Sequence, residues 1–215
     1  MSEKIKKNKL SNNDTERNNN TKNLKKIIKI EKHFFQIMKI LGLDMNNDNL
    51  KKTPKRVAKM FVEEIFSGII PENMPKTSVF ENKYKYRQMI IEKNITVYST
   101  CEHHFLPIIG KAHVGYISSG KIIGLSKINR IVNFYSKRPQ VQERLTVQIV
   151  DILKNILSTK DVACIIEAKH LCVNSRGIRD IDSSTITTEL TGLFRKNSKT
   201  RNEFFNHIGF FSLKT

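Results

Sequence analysis

The sequence predicts an α+β domain: an antiparallel sheet with helices on one face, preceded by a helical region. Three observations lead there. Apolar residues recur at helical spacing from Leu24 to Leu41 and again from Val57 to Ile65. Between Arg87 and Ile117, and again from Val162, the pattern changes to runs rich in β-branched and aromatic residues. A long amphipathic stretch separates these two regions, and the order helix pair, two strands, helices, two strands suits an antiparallel sheet.

In chain order, residues 1–22 are rich in asparagine and lysine. They are too poor in apolar side chains to offset the entropy of ordering, so a disordered arm is expected. Leu24, Ile27, Ile28, Phe34, Phe35, Met38 and Leu41 mark one amphipathic helix, with Gly42 as its C-terminal cap. Thr53-Pro54 reads as a hydroxyl N-cap followed by proline at the first helical position, and Val57, Met60, Phe61 and Ile65 carry that helix to Gly68. Pro71 and Pro75 then mark a connecting loop. The organisation is therefore an arm over 1–22, an N-terminal helical region over 23–75 and a second domain over 76–215. In that domain two strands are expected between Arg87 and Ile117, then a short helix from Ser126 to Ser136 with a hydroxyl cap. Val141, Leu145, Ile149, Ile152, Leu153 and Ile156 trace a long helix. Strands return at 162–173 and 184–194, and a final helix covers 200–208.

A chain of 215 residues fits one domain with a sizeable core plus appendages. No stretch approaches the length of a membrane span, and no apolar segment near the N-terminus precedes a small-residue cleavage site. A cytoplasmic protein in a reducing compartment, with no membrane partner, is the expectation. The formal net charge is +18, of which residues 1–26 contribute +5, so basicity is not confined to a tail. Most of the excess is lysine, accompanied by asparagine and isoleucine, three residues with A/T-rich codons. Drift in composition plus a local phosphate site accounts for this charge better than a nucleic-acid partner does, because no motif with interleaved aromatics is present.

Two short clusters carry the chemistry. Cys101-Glu102-His103-His104 and, 66 residues after its last member, His170-Leu171-Cys172 together hold two thiols and three imidazoles. These are the ligand types that zinc selects. If Cys101, His104 and Cys172 hold one ion, the site keeps an open fourth position, as catalytic zinc sites do, and His103 and His170 remain beside it to move protons. On an extended strand His170 and Cys172 would share a face, whereas Cys101 and His104 meet only if the chain turns. Other readings stay open at this point: a Cys101–Cys172 disulfide, ordinary core cysteines, or a closed structural site with an unidentified fourth ligand. An odd number of cysteines in a reducing compartment argues against the disulfide. Cys164 reads as a core residue, and His33, His113 and His207 as surface or packing residues.

Four motifs in order resemble the signatures of GTP cyclohydrolase I. They are Ser99-Thr100-Cys101-Glu102-His103-His104, Gly124-Leu125-Ser126-Lys127-Ile128-Asn129-Arg130, Arg138-Pro139-Gln140-Val141-Gln142-Glu143-Arg144-Leu145-Thr146, and His170-Leu171-Cys172 through Arg176-Gly177. The similarity runs from about Leu24 to the C-terminal end. It implies the zinc-dependent form, with Zn2+ held by Cys101, His104 and Cys172. It further implies hydrolysis of GTP to formate and 7,8-dihydroneopterin triphosphate, the entry to tetrahydrofolate and related pterins. By the same resemblance zinc acidifies the water that attacks C8, and His103 and His170 act as general acid/base groups. Lys59, Lys127, Arg130 and Arg176 would meet the triphosphate, Glu143 with its neighbour Gln142 would bind guanine, and Ser126 would lie near the ribose. The family fold is the tunnelling fold, in which subunit sheets join into a barrel and two pentamers stack as a homodecamer with active sites between subunits. Taken without the motifs, Lys59, Lys127, Arg130 and a Glu143/Arg144 pair would read as solvated surface charges, and Glu102 stays outside the catalytic set. The rivals are a pterin synthase or nitrile reductase on a similar fold, and a zinc-stabilised nucleic-acid-binding protein.

Overall fold

The computed structural model describes residues 2–209, with side chains from residue 20 onward. Met1 of the expected arm and residues 210–215 lie outside the described residues. The chain separates into two compact units between Ser67 and Gly68, ahead of the boundary after residue 75 read from the prolines.

The first unit holds α1 (Ser2–Ile40) and α2 (Thr53–Lys59), the latter continued by a π-helical turn over Met60–Ile65. Helical backbone thus begins at Ser2, where the composition led us to expect a disordered arm. Once a helix is nucleated by the apolar segment after Leu24, extending it through lysine, glutamate and asparagine orders one residue per added hydrogen bond. Gly42 ends the helix with φ +78, as expected of a C-terminal glycine. Of the apolar stripe, Ile27 packs with Ala58 and Val62, and Ile30 flanks them, while Leu24, Ile28 and Phe35 stay exposed. The N-cap of α2 differs from expectation: Lys52 occupies that position without a side-chain cap. The Thr53 hydroxyl instead accepts from Arg56 Nη2 at 2.8 Å, and the same nitrogen donates to the Asn49 carbonyl at 2.9 Å. Pro54 still lies in the first turn, where its missing N–H costs nothing.

The second unit is built on a five-stranded sheet of order β5-β2-β3-β6-β7, formed by β2 (Met89–Cys101), β3 (Pro107–Ile117), β5 (Pro139–Gln140), β6 (Val162–His170) and β7 (Thr185–Leu190). All neighbours are antiparallel except β5, which pairs with β2 in parallel. A separate two-stranded piece joins β1 (Val79–Glu81) to β4 (Lys121–Ile123). These three-residue strands and the two-residue β5 are too short to leave a period in the sequence.

Two helices, α3 (Leu125–Ser136) and α4 (Gln142–Leu157), cover one face. Ile128, Ile131, Leu145, Ile149 and Leu153 meet Val97, Val114, Cys164 and Ile166 there in the main core. Cys164 is fully buried, as expected, and burial pushes its thiol pKa up. The expected hydroxyl cap on α3 is absent, because Gly124 takes the extended N-cap position and Ser126 falls inside the first turn. The opposite face, expected to be bare, is partly covered. Two short helices, α6 (Gly192–Lys196) and α7 (Ser198–Ile208), seat Phe194 and Phe204 against Ala163 and Ile165. Space for this comes from Gly115, where a Cβ would stand 2.9 Å from the Phe204 ring. The expected strand over 184–194 stops at Leu190, and Gly192 turns the chain with φ +55.

The two phenylalanine rings meet edge to face at 5.4 Å and 76°, and Phe204 is fully buried. Phe204→Ala is expected to destabilise the protein by about 3–5 kcal/mol, read as a lower urea midpoint at unchanged slope. An unaltered midpoint would show that this second cluster lies outside the cooperative core.

Candidate active site

The site forms where three chain segments meet at one end of the sheet. Thr100 of β2 pairs with Pro107 of β3, so the intervening residues close a tight hairpin. The Cys101 N–H donates to the Leu106 carbonyl and the Phe105 N–H to the Cys101 carbonyl, both at 2.8 Å. Phe105 takes φ +55 to complete the turn. Next along the sheet, Ile108 pairs with His170, which brings the last residue of β6 beside that hairpin. The chain then leaves the strand as the short helix α5 (Leu171–Asn174). Cys172 therefore sits on a helical turn, and the expectation that it shares a strand face with His170 does not hold. The fifth strand brings in α4: the Glu102 N–H donates to the Gln140 carbonyl at 3.0 Å, and Gln142 opens the helix two residues later.

As a result Cys101, His104 and Cys172 lie together, with one ligand atom from each all within 4.8 Å of one another. All three cysteines of the chain are free thiols, which removes the disulfide reading. Cys101 Sγ lies 3.9 Å from Nδ1 of both His103 and His104. Burial pushes the Cys172 thiol pKa up, and its contact with Cys101 pushes it further. Two thiols and an imidazole converging in this way suit a soft or borderline cation, whose charge favours the thiolate form that burial disfavours at Cys172.

Around this group the histidines are held differently. His170 is half-buried; burial pushes its pKa below the ordinary value, and the Glu143 carboxylate partly opposes this. Its Nε2 lies 2.7 Å from Gln142 Oε1. His103 is exposed, 4.0 Å from the Glu102 carboxylate. Glu102 in turn pairs with Arg144, which also donates from Nε to Gln140 Oε1 at 2.9 Å and from Nη2 to the Pro139 carbonyl at 3.0 Å. Arg144 thus clamps the metal hairpin to α4, and its partner is Glu102 rather than Glu143. Sequence reasoning missed this contact because it joins residues 42 positions apart with no local period.

The other expected residues separate into four groups. Glu143 lies exposed in the first turn of α4, and Arg176 stands near enough to Cys172 for its charge to be felt there. Gln142, expected at the guanine, is instead buried with its side-chain amide engaged inside the chain. Lys59, exposed at the end of α2, belongs to the first unit.

Ser126, Lys127 and Arg130 are not brought to the metal group of the same chain. Asn129, beside them, bonds Glu92 near the start of β2 at 3.1 Å, while Ser136 at the other end of α3 accepts from Ser99 at 2.8 Å. The helix therefore runs alongside β2 with its last turn toward Cys101 and its first turn away. The ten residues from Ser126 to Ser136 place that first turn about 15 Å back along the helix axis.

Comparison with known proteins agrees with this geometry. A model of the family described as GTP cyclohydrolase I matches residues 30–209. The chain is 63% identical over 183 residues to GTP cyclohydrolase 1 of Flavobacterium johnsoniae, covering 85% of this chain and 82% of that protein. It is 54% identical to GTP cyclohydrolase 1 of Vibrio cholerae, covering 84% and 83%, and 53% identical to that of Yersinia enterocolitica, covering 84% and 82%. With a match of this extent and a converging Cys-His-Cys group, the chain belongs to the GTP cyclohydrolase I family of hydrolases.

Proposed function

We propose that this protein hydrolyses GTP to formate and 7,8-dihydroneopterin triphosphate, the first step toward tetrahydrofolate and related pterins, with zinc as its metal. The observation that carries the reading is the convergence of Cys101, His104 and Cys172 in a chain of this family. These three residues would hold the ion, leaving a coordination position open. When bound, zinc supplies the Lewis acidity that lowers the pKa of water to near neutrality.

The chain's own residues do the rest. His103 and His170, next to the candidate ligands in the chain, move protons on and off the imidazole ring of guanine as C8 is released. Glu143 accepts from the guanine N1–H and 2-amino group, a donor pair that adenine lacks. Lys59, Lys127, Arg130 and Arg176 neutralise the triphosphate. Ser126 lies at the ribose during rearrangement and ring closure.

That last role needs a second copy of the chain. The ribose is joined to the ring atom next to C8, so a ribose contact must lie within a few ångströms of the metal-side chemistry. Ser126 is at the far end of α3 from its own Cys101. An assembly that sets the first turn of α3 from one copy against the metal group of another completes the site. The barrel of the tunnelling fold, stacked as a decamer of two pentamers, supplies such contacts and also covers the open edge of β7. The same assembly answers much of the basic surface by local phosphate binding, with nucleic acid as no partner. Three free thiols suit a cytoplasmic location.

Incubation of zinc-loaded protein with GTP is expected to give formate and the ultraviolet absorbance of the pterin together, both lost on chelation. Metal-loaded, folded protein that yields neither would defeat the reading. Cys172→Ser is expected to abolish turnover while leaving the assembly intact by light scattering; full activity in that variant would remove zinc from the mechanism. Arg130→Ala and Cys172→Ser, each inactive alone, are expected to regain activity when co-expressed, approaching about a quarter of wild-type sites for random mixing in a closed ring. No recovery from mixed assemblies would place the whole site within one chain.

A further inference from the structure

The Gln142 side chain is buried between the β6 and β7 backbone and His170. Its Nε2 donates to the Ile166 carbonyl and the Thr185 carbonyl, each at 2.9 Å, and stands 3.1 Å from Thr187 Oγ1. The two carbonyls are acceptors only. Turning the amide over would press Oε1 against both of them, so the amide has one acceptable orientation. The hydroxyls agree. Thr146 uses its single proton on the Gln142 backbone carbonyl at 2.8 Å, so the 2.7 Å contact between Thr146 and Thr187 must take its proton from Thr187. The Thr187 oxygen therefore keeps its lone pair for the Gln142 amide.

With Nε2 committed to donation, Oε1 is what faces His170, at 2.7 Å from its Nε2. An amide oxygen only accepts. Rotating the imidazole by half a turn would exchange Nε2 for Cε1 at that distance, well inside the usual carbon–oxygen separation of about 3.3 Å. Resting on the functional reading above, we infer that Gln142 is a positioning residue that fixes the His170 ring by accepting a hydrogen bond from its Nε2–H, which leaves Nδ1 as the ring nitrogen open to substrate. Nδ1 has no hydrogen-bond partner among the described residues, so it is free for substrate. The lock is anchored to β6 and β7 backbone, and β6 leads directly into α5, which carries Cys172, so His170 and Cys172 share one frame.

The direct test is the nitrogen spectrum of His170 in zinc-loaded, 15N-histidine-labelled protein without substrate, with signals assigned by their loss in His170→Asn. A protonated-type shift at Nε2 and a bare-nitrogen shift at Nδ1 are expected. Protonation on Nδ1, or an averaged pair, would overturn the inference. In a second arm Gln142→Met, similar in size but without an acceptor, is expected to lower kcat by about 100-fold with KM for GTP changed less than about threefold. Gln142→Glu, which as the neutral acid favoured by burial can donate to one of the two carbonyls and keep its other oxygen toward His170, should recover a tenfold or greater part of that loss. Equal loss in both folded variants would reduce Gln142 to a packing role. If the methionine variant does not fold, the spectrum decides alone. Wild-type protein that fails to turn over GTP would defeat the functional reading while the spectrum still reports the tautomer.

Discussion

The register between β3 and β6 is the constraint on which the site depends. Pairing of Ile108 with His170 sets the end of β6 against the start of β3, and β3 is tied to Cys101 through its hairpin. Two clusters 66 residues apart in the chain are thereby brought within ligand distance. A slip of one residue would send His170 to the other face and exchange the buried Cys164 and Ile166 for Glu167. The apolar alternation of β6, buried from Val162 to Ile166 under α4 on one face and under Phe194 on the other, makes that slip costly. The metal geometry is thus held by ordinary core packing several residues away.

A second layer of order comes from polar groups at the start of α4. Gln140 of β5 and, within the first two turns of α4, Gln142, Arg144 and Thr146 bind, respectively, Gln148, His170, Glu102 and Thr187. Buried polar groups are costly when unpaired and directional when satisfied. Here the direction is what matters chemically: the carbonyls of β6 and β7 orient an amide, and the amide orients an imidazole. The helix joins a rigid sheet to a mobile proton.

The chain also carries exposed surfaces that its own packing leaves uncovered. Ser126 and Arg130 are exposed and Lys127 half-buried at a helix end remote from the Cys-His-Cys group of the same chain, and Tyr98, Ile109 and Ile186 stay exposed on the uncovered part of the second sheet face. Such apolar exposure beside an open strand edge is expensive for an isolated chain. Those surfaces are the ones that the proposed assembly would cover.

The amino-acid sequence by itself determined the α+β class, the main helices and strands to within a few residues apart from the start of α1, and which residues converge as a possible metal group, because periodicity, glycine and proline signals and ligand chemistry are local properties. It misplaced caps at Thr53 and Ser126, where a neighbouring guanidinium or an extended glycine took the role assigned to a hydroxyl. It ran β6 through Cys172 and left one sheet face bare, since a strand's end and a helix's docking depend on partners distant in the chain. Gln142 was legible as a site residue but not in its orientation. Only the tertiary structure, by presenting two carbonyls on one side and His170 on the other, decided that its amide serves the histidine, because hydrogen-bond direction is fixed by what surrounds a group and not by its place in the chain.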